Sequence, residues 1–261
     1  MQFELNQIQN MEIQLRIEHI TFTGADDSTD PQLLADFSSS NPRVEWGILI
    51  SKSSMGFPRF PSLSWIDQFL DIADFHNLNI SLHLCGSWLR RLLSGEIAVI
   101  DEIGLERWEA FQRCQLNFHA EDQTVNPARF FPILGVHSEK EFIFQVDGNM
   151  GGVLLNAYLE SGRRNAAPLF DLSHGAGVCP DAWPEPSFAT GGTTPISHGY
   201  AGGLGPDNLT DQLCRIADVA SASPVWIDME TKLRNDRDQF DLSICEECTR
   251  QVSSFESMAA V

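Results

Sequence analysis

Apolar residues along this chain fall into short dense runs, each followed by a stretch in which they return every three or four positions. Runs of the first kind predict strands and stretches of the second predict helices. Arg16 to Gly24 alternates apolar and polar and then breaks at Gly24 and Asp26-Asp27, the pattern of a strand entering a turn. Asp30-Pro31 supplies an N-cap and a first-turn proline for a helix through Leu33, Leu34 and Phe37. Val44 to Ile50 is almost continuously apolar, as a buried parallel strand should be. A helix then carries Trp65, Ile66, Phe69, Leu70 and Ala73, and Leu78 to Gly86 forms the third strand, with a helix from Trp88 to Leu93.

The alternation continues through the second half. A helix around Leu105 to Arg113 precedes a fourth strand, Cys114 to Phe118. Pro127 and Pro132 make the next segment a poor continuous helix. Glu141 to Val146 is the fifth strand, with a helix from Val153 to Leu159, and Ala167 to Leu172 is the sixth. After a long Gly/Pro loop come a seventh strand ending near Ala201, an eighth from Pro224 to Met229, and an amphipathic helix from Leu242 to Phe255. Strands alternating with helices imply a parallel sheet, and eight is the number that closes a (β/α)8 TIM barrel. An open doubly wound sheet is the alternative. The expected organisation is an N-terminal extension over residues 1–15 and one barrel domain over 16–261.

Composition narrows the function classes. The chain has 261 residues, 43% of them hydrophobic, enough for a sizeable core in a single domain. A formal charge of −19 argues against nucleic acid and anionic membrane as partners, while leaving room for a small phosphorylated ligand in a locally favourable pocket. No apolar run is long enough to span a bilayer, and Met1-Gln-Phe-Glu-Leu lacks the basic and apolar regions of a secretory signal. Scattered cysteines (85, 114, 179, 214, 245 and 248) suit a reducing cytoplasm better than a disulfide scaffold. The sequence leaves the oligomeric state open.

The most suggestive stretch is Tyr200-Ala-Gly-Gly-Leu-Gly-Pro-Asp-Asn-Leu209. Gly202 and Gly203 permit positive φ and close backbone approach, and Asp207 or Asn208 can cap a helix carrying Leu209, Leu213, Ile216, Ala217 and Ala220. A strand, a glycine pair and a helix start together make an anion cradle; a ligand-free βα turn is the plain alternative. Asp171, at the end of a buried strand before a flexible loop, occupies the barrel position of catalytic groups. His83 and Cys85 share a strand face, so a base could be a thiol whose pKa the histidine lowers.

Several of these segments resemble phosphoribosylanthranilate isomerase, a (β/α)8 enzyme, from about residue 17 to 255. Tyr200 to Asn208 is similar to its strand-seven motif, and Phe170-Asp-Leu-Ser-His-Gly-Ala-Gly177, with Trp183 beyond, to its aspartate and Gly-Thr-Gly loop. Lys52-Ser53 with Pro58-Arg59 resembles its Lys-Ser-Pro-Arg loop, and Cys114-Gln-Leu-Asn117 its strand-four motif. The resemblance implies an Amadori-type isomerisation with Asp171 as general acid and Arg59 holding anionic groups. It also implies phosphate bound at Gly202 and Gly203, with Lys52, Gln115, Gly175, Gly177, Asp207, Asn208 and Asp228 contributing to binding. Two positions depart from the pattern. Thr23 stands where the family's basic cysteine should be, and Asp228-Met-Glu-Thr-Lys-Leu233 keeps the strand-eight aspartate but loses a phosphate-binding glycine. A neutral hydroxyl cannot abstract a carbon-bound proton unaided, leaving Cys85, His83 and Glu230 as candidate bases; Lys232 could add a cation.

Other motifs carry weaker signals. His119, His174 and His198 with Asp171 and Asp228 could gather as an N/O metal site, but without paired histidine spacing; no metal or cofactor is expected. Cys245-Glu-Glu-Cys248 lacks the second pair of a zinc ribbon and reads as two helical cysteines, one packed inside. Tryptophans 46, 65, 88, 108 and 226 read as core, while Trp183, in a loop, could stack on an aromatic ligand. The sequence therefore points to acid/base isomerisation of a phosphorylated sugar or sugar-linked aromatic, distinct from the tryptophan-pathway reaction itself. A phosphate-ligand binding protein without turnover, or a metal-assisted lyase or aldolase on the same barrel, are the alternatives.

Overall fold

The structure is a computed structural model in which residues 15–118, 125–146, 150–171, 177–190, 194–220 and 223–259 are described. Eight parallel strands close into a barrel: β1 (Arg16–Thr23), β2 (Val44–Ile50), β3 (Asn79–Leu84), β4 (Arg113–Leu116), β5 (Glu141–Val146), β6 (Ala166–Asp171), β7 (His198–Ala201) and β8 (Pro224–Met229). β1 pairs with both β2 and β8, which excludes the open doubly wound sheet. The ring is wrapped by α1 (Pro31–Ser40), α2 (Leu63–His76), α3 (Gly86–Leu93), α4 (Ala98–Ile103), α5 (Leu105–Ala110), α6 (Pro127–Val136), α7 (Met150–Glu160), α8 (Leu209–Ala220) and α9 (Leu242–Ala259). Residues 1–14 of the expected extension lie outside the described residues.

Strand alternation splits the interior into two cores. Outward-facing Phe22, Trp46, Phe142 and Phe144 are buried beneath the helices. Burial on this scale contributes about 1.5–3 kcal/mol per large side chain. The expectation of a poor helix after Pro127 is corrected: α6 runs through Pro132. Pro127 sits in the first turn, where its missing N–H costs nothing. Pro132 forfeits one helical bond, offset by burial of Phe130, Phe131, Ile133 and Leu134. Arg113 belongs to β4 and not to the preceding helix, because its guanidinium is drawn into the barrel.

The barrel floor is polar. Arg113 Nη1 lies 2.9 Å from Glu45 Oε1, with both side chains almost wholly buried. Thr21 Oγ1 donates to the same carboxylate at 2.9 Å. Arg113 Nε reaches Glu141 at 2.7 Å, and its guanidinium lies 4.4 Å from the Trp226 ring centre. Burial alone would raise the Glu45 pKa, but Arg113, His19 and the Thr21 hydroxyl outweigh it and hold it below the usual range. Gly199 makes room for this layer, since a β-carbon there would collide with the indole of Trp226.

Candidate functional site

At the C-terminal mouth of the barrel a cavity of about 200 Å³ opens above this floor. Its walls come from the ends of β3, β4, β5, β6 and β8, the turn after β7 (Gly202, Gly203, Leu204) and the segment after β8 (Glu230, Thr231, Lys232). This is the face on which barrel active sites are built.

Asp171 and Asp228 both line the cavity, and both register against Ala201, on its two sides. Two strand spacings place their Cα atoms about 9–10 Å apart. Asp171 Oδ2 accepts from Gln145 Nε2 at 2.7 Å. Asp228 Oδ1 accepts from Thr23 Oγ1 at 2.9 Å. Burial raises the Asp228 pKa well above the ordinary carboxylate value, and Glu230, Glu45 and Asp171 push it the same way against the Thr23 hydrogen bond. Thr23, at the position where the resemblance expects a cysteine, is thus tied to a cavity carboxyl. Gly47 clears the space beside it, because a β-carbon there would strike the Thr23 hydroxyl and the His83 ring.

His83 and Cys85 share the cavity wall, as strand alternation implied, but they do not form an activated pair. The His83 ring meets Ser81 Oγ at 3.1 Å, and burial lowers its pKa to about 4. The Cys85 thiol donates to the backbone carbonyl of His83 at 3.6 Å and accepts from Asn117 Nδ2 at 3.1 Å. Burial pushes this thiol up to about 12. The expected lowering of the thiol by the histidine is therefore corrected: desolvation dominates, and no imidazolium is present to oppose it. Gln115 lines the cavity and donates to Asn117 Oδ1 at 2.8 Å, completing a chain of amides that ends on the sulfur.

The glycine turn faces the same cavity as the two aspartates. Gly203 has φ of 66°, and a β-carbon there would stand 2.6 Å from both Gly177 O and Cys179 N. The close approach that demands glycine is thus to the chain's own loop after β6; Gly177 is in that loop and lines the cavity. The amides of Gly203 and Leu204 donate to no described residue. Asn208 works inside the turn: its Oδ1 accepts from Gly205 N–H at 3.0 Å and its Nδ2 donates to Gly203 O at 3.0 Å. Asp207 is exposed and lies off the cavity. Lys232 lines the cavity, and no described carboxylate lies within ion-pair distance of it.

Two expected binding cations are engaged elsewhere. Lys52 pairs with Glu102 at 2.8 Å and does not line the cavity. Arg59 also stands off the cavity; its Nη1 meets Glu230 at 3.1 Å and its Nη2 meets Asp238 at 3.4 Å. Trp183 is buried with Nε1 donating to Gln212 at 2.9 Å, its ring 5.6 Å edge-on from Tyr200, so the stacking expected of it is replaced by packing. His198 stacks on Phe170 at 5.7 Å. Gly175, His119 and His174 lie outside the described residues. Among the described residues no group of three or more His, Cys, Asp or Glu is placed to hold a metal ion. Cys245 and Cys248 are both buried in α9, one more than expected.

Sequence reasoning missed Gln145, Asn117 and Thr231 as cavity residues. Strand parity held the signal for the first, since Gln145 is the polar residue between outward-facing phenylalanines and the end of β5.

The described chain is a (β/α)8 barrel, with its cavity at the face where such barrels bind ligands. No family model and no curated protein matches the sequence. Solved structures do resemble the fold. Phosphoribosylanthranilate isomerase from Thermus thermophilus superposes with a TM-score of 0.56 at 16% identity, over 90% of this chain and 98% of that one. A phospho-2-dehydro-3-deoxyheptonate aldolase from Thermotoga maritima gives 0.55 at 10% identity, over 94% and 70%. A spore coat polysaccharide biosynthesis protein from Bacillus subtilis gives 0.56 at 10% identity, over 93% and 68%. These likenesses establish the barrel. No described helix is long and apolar enough to cross a membrane.

Proposed function

We propose that the cavity binds a phosphorylated sugar or sugar-linked aromatic and that the protein isomerises it by proton transfer, with Asp171 one of the two exchanging groups. One observation carries this reading: a single cavity holds two buried carboxyls facing the Gly202–Gly203 turn and Lys232. Turns after the seventh and eighth barrel strands are a recurrent phosphate site. Backbone amides and one ammonium would hold the phosphate there, leaving the sugar carbons between Asp171 and Asp228. Three carboxyls among the described residues line the cavity, which opposes an anion. Two features soften that field: Arg59 neutralises Glu230, and burial favours the neutral form of Asp228. Thr23 in place of a basic side chain favours the second reading, a phosphate-ligand binder without turnover.

Thermal melting against inorganic phosphate and ribose 5-phosphate tests the anion site. A ligand at 100 times its Kd adds about 2.7 kcal/mol of stability. Absence of stabilisation by either would end both readings. Turnover of a sugar-phosphate panel that disappears in Asp171→Asn separates an isomerase from a binder.

A further inference from the structure

The missing cysteine at position 23 leaves the pair of proton-exchanging groups short of one member, and the geometry around Asp228 supplies it. Asp228 is buried at the end of β8 and opens onto the cavity. Its one side-chain hydrogen bond among the described residues comes from the Thr23 hydroxyl on β1. No described cation lies within ion-pair distance of it. Negative charge reaches it from three elements: Glu230 just beyond its own strand, paired with Arg59; Glu45 on β2, paired with Arg113; and Asp171 on β6, across the cavity. The imidazole of His83 on the same cavity wall is neutral near pH 7, and Lys232 contributes the one cavity cation among the described residues. An ionised carboxylate is stabilised by hydrogen-bond donors and positive charge and penalised by burial and like charges. Among the described residues Asp228 is buried with one side-chain hydrogen-bond donor and no ion-pair partner. Asp171 accepts from the Gln145 amide N–H at 2.7 Å.

Resting on the isomerase reading above, we propose that Asp228 is the general acid, its proton on the oxygen not bound by Thr23, and that Asp171 is the general base. This reverses the role that the resemblance assigns to Asp171 and removes the need for a thiol. The direction of the Asp228 pKa agrees. On an open-chain aldose phosphate the step balances as follows. Asp171 takes the proton from C2, and the C2–H electron pair becomes the C1=C2 bond. The carbonyl π pair moves to O1, which takes the proton of Asp228, giving the enediol. The ionised Asp228 then removes the proton from O2, the C2=O2 bond forms, and C1 takes back the proton held by Asp171. Both carboxyls return to their starting states, and no oxidant or reductant is consumed. Thr23 is a positioning residue that fixes which oxygen of Asp228 faces the substrate.

The proton assignment is read without substrate, by infrared difference spectra of the whole protein, wild type minus Asp228→Asn, at pH 7. A protonated carboxylic acid stretch present in wild type and lost in the variant is the expected result. Ionised-carboxylate bands alone at that pH overturn the proposal. Should Asp228→Asn fail to fold, Thr23→Val serves: removing the one donor should carry the acid band to higher pH, with Thr23→Ser restoring the wild-type position. A band unmoved in Thr23→Val overturns the assignment. Deuterium incorporation at C2 of ribose 5-phosphate in heavy water, followed by NMR, then tests the roles. Exchange should vanish in Asp171→Asn, and its loss in wild type should fall on the alkaline side, as Asp228 ionises. An acid-side loss that moves with Thr23→Val would make Asp228 the base. Thermal melting with inorganic phosphate on the same samples separates the two ideas. No stabilisation there fails the ligand reading, whatever the spectra show.

Discussion

Replacing Arg113 by methionine should destabilise the barrel from its floor. The substitution keeps much of the side-chain volume but strands the Glu45 carboxylate, which is buried and lies 2.9 Å from the guanidinium it would lose. Removing one member of a buried pair typically costs 3–5 kcal/mol, because the remaining charge has no compensation. Loss of the guanidinium over Trp226, 4.4 Å from the ring centre, adds up to about 2 kcal/mol where the contact is desolvated. For a chain of this size the first figure corresponds to a fall in Tm of roughly 6–20 °C. The sign of the pH dependence is fixed. In wild type the depressed Glu45 pKa contributes stability above the unfolded value, lost as pH falls through the native one. In the variant, burial is opposed only by Thr21 and His19, the largest opposing group is gone, and the native pKa rises. That variant keeps its stability below the unfolded value and loses it as pH climbs. The gap between the two proteins should therefore narrow in acid. Urea denaturation from pH 4 to 8 measures it, and Glu45→Met with Arg113→Met should recover most of the loss. A single variant costing under about 1 kcal/mol, or a double variant no better than the single, refutes the reasoning.

Three further outcomes follow from the cavity. Asp228→Asn should flatten the pH dependence of Tm: a raised native pKa gives wild type stability that is full below the unfolded carboxyl value and lost as pH rises, at about 1.4 kcal/mol per tenfold weakening of the acid. A steeper alkaline decline in the variant would contradict this. Cys85 should resist iodoacetamide in the native protein at pH 7, since burial holds the thiol protonated at about 12; modification at the rate of a free cysteine, read by mass, would contradict the burial. Gly203→Asp should abolish stabilisation by phosphate and lower Tm, because its β-carbon meets backbone at 2.6 Å and φ is 66°; melting with and without phosphate checks both.

The barrel was legible because buried parallel strands are dense in apolar residues and each is followed by an amphipathic helix. That Asp171, Asp228 and the glycine turn share the barrel mouth was legible because strand ends and glycine pairs are local features. Arg59 and Lys52 were misplaced because their fates are decided by partners far off in sequence, Glu230 and Glu102. The Cys85 thiol is raised instead of lowered for a related reason: desolvation is a property of the closed barrel, invisible in a strand read alone. The α6 helix was missed because propensity counted two prolines and could not weigh the phenylalanines that α6 buries.

The contact of Gly203 with Gly177 and Cys179 has an evolutionary and an engineering consequence. The turn after β7 and the stretch from Gly177 to Cys179 are cut to each other's shape, so neither can be exchanged alone. A transplant at this mouth of the barrel has to carry both as one cassette.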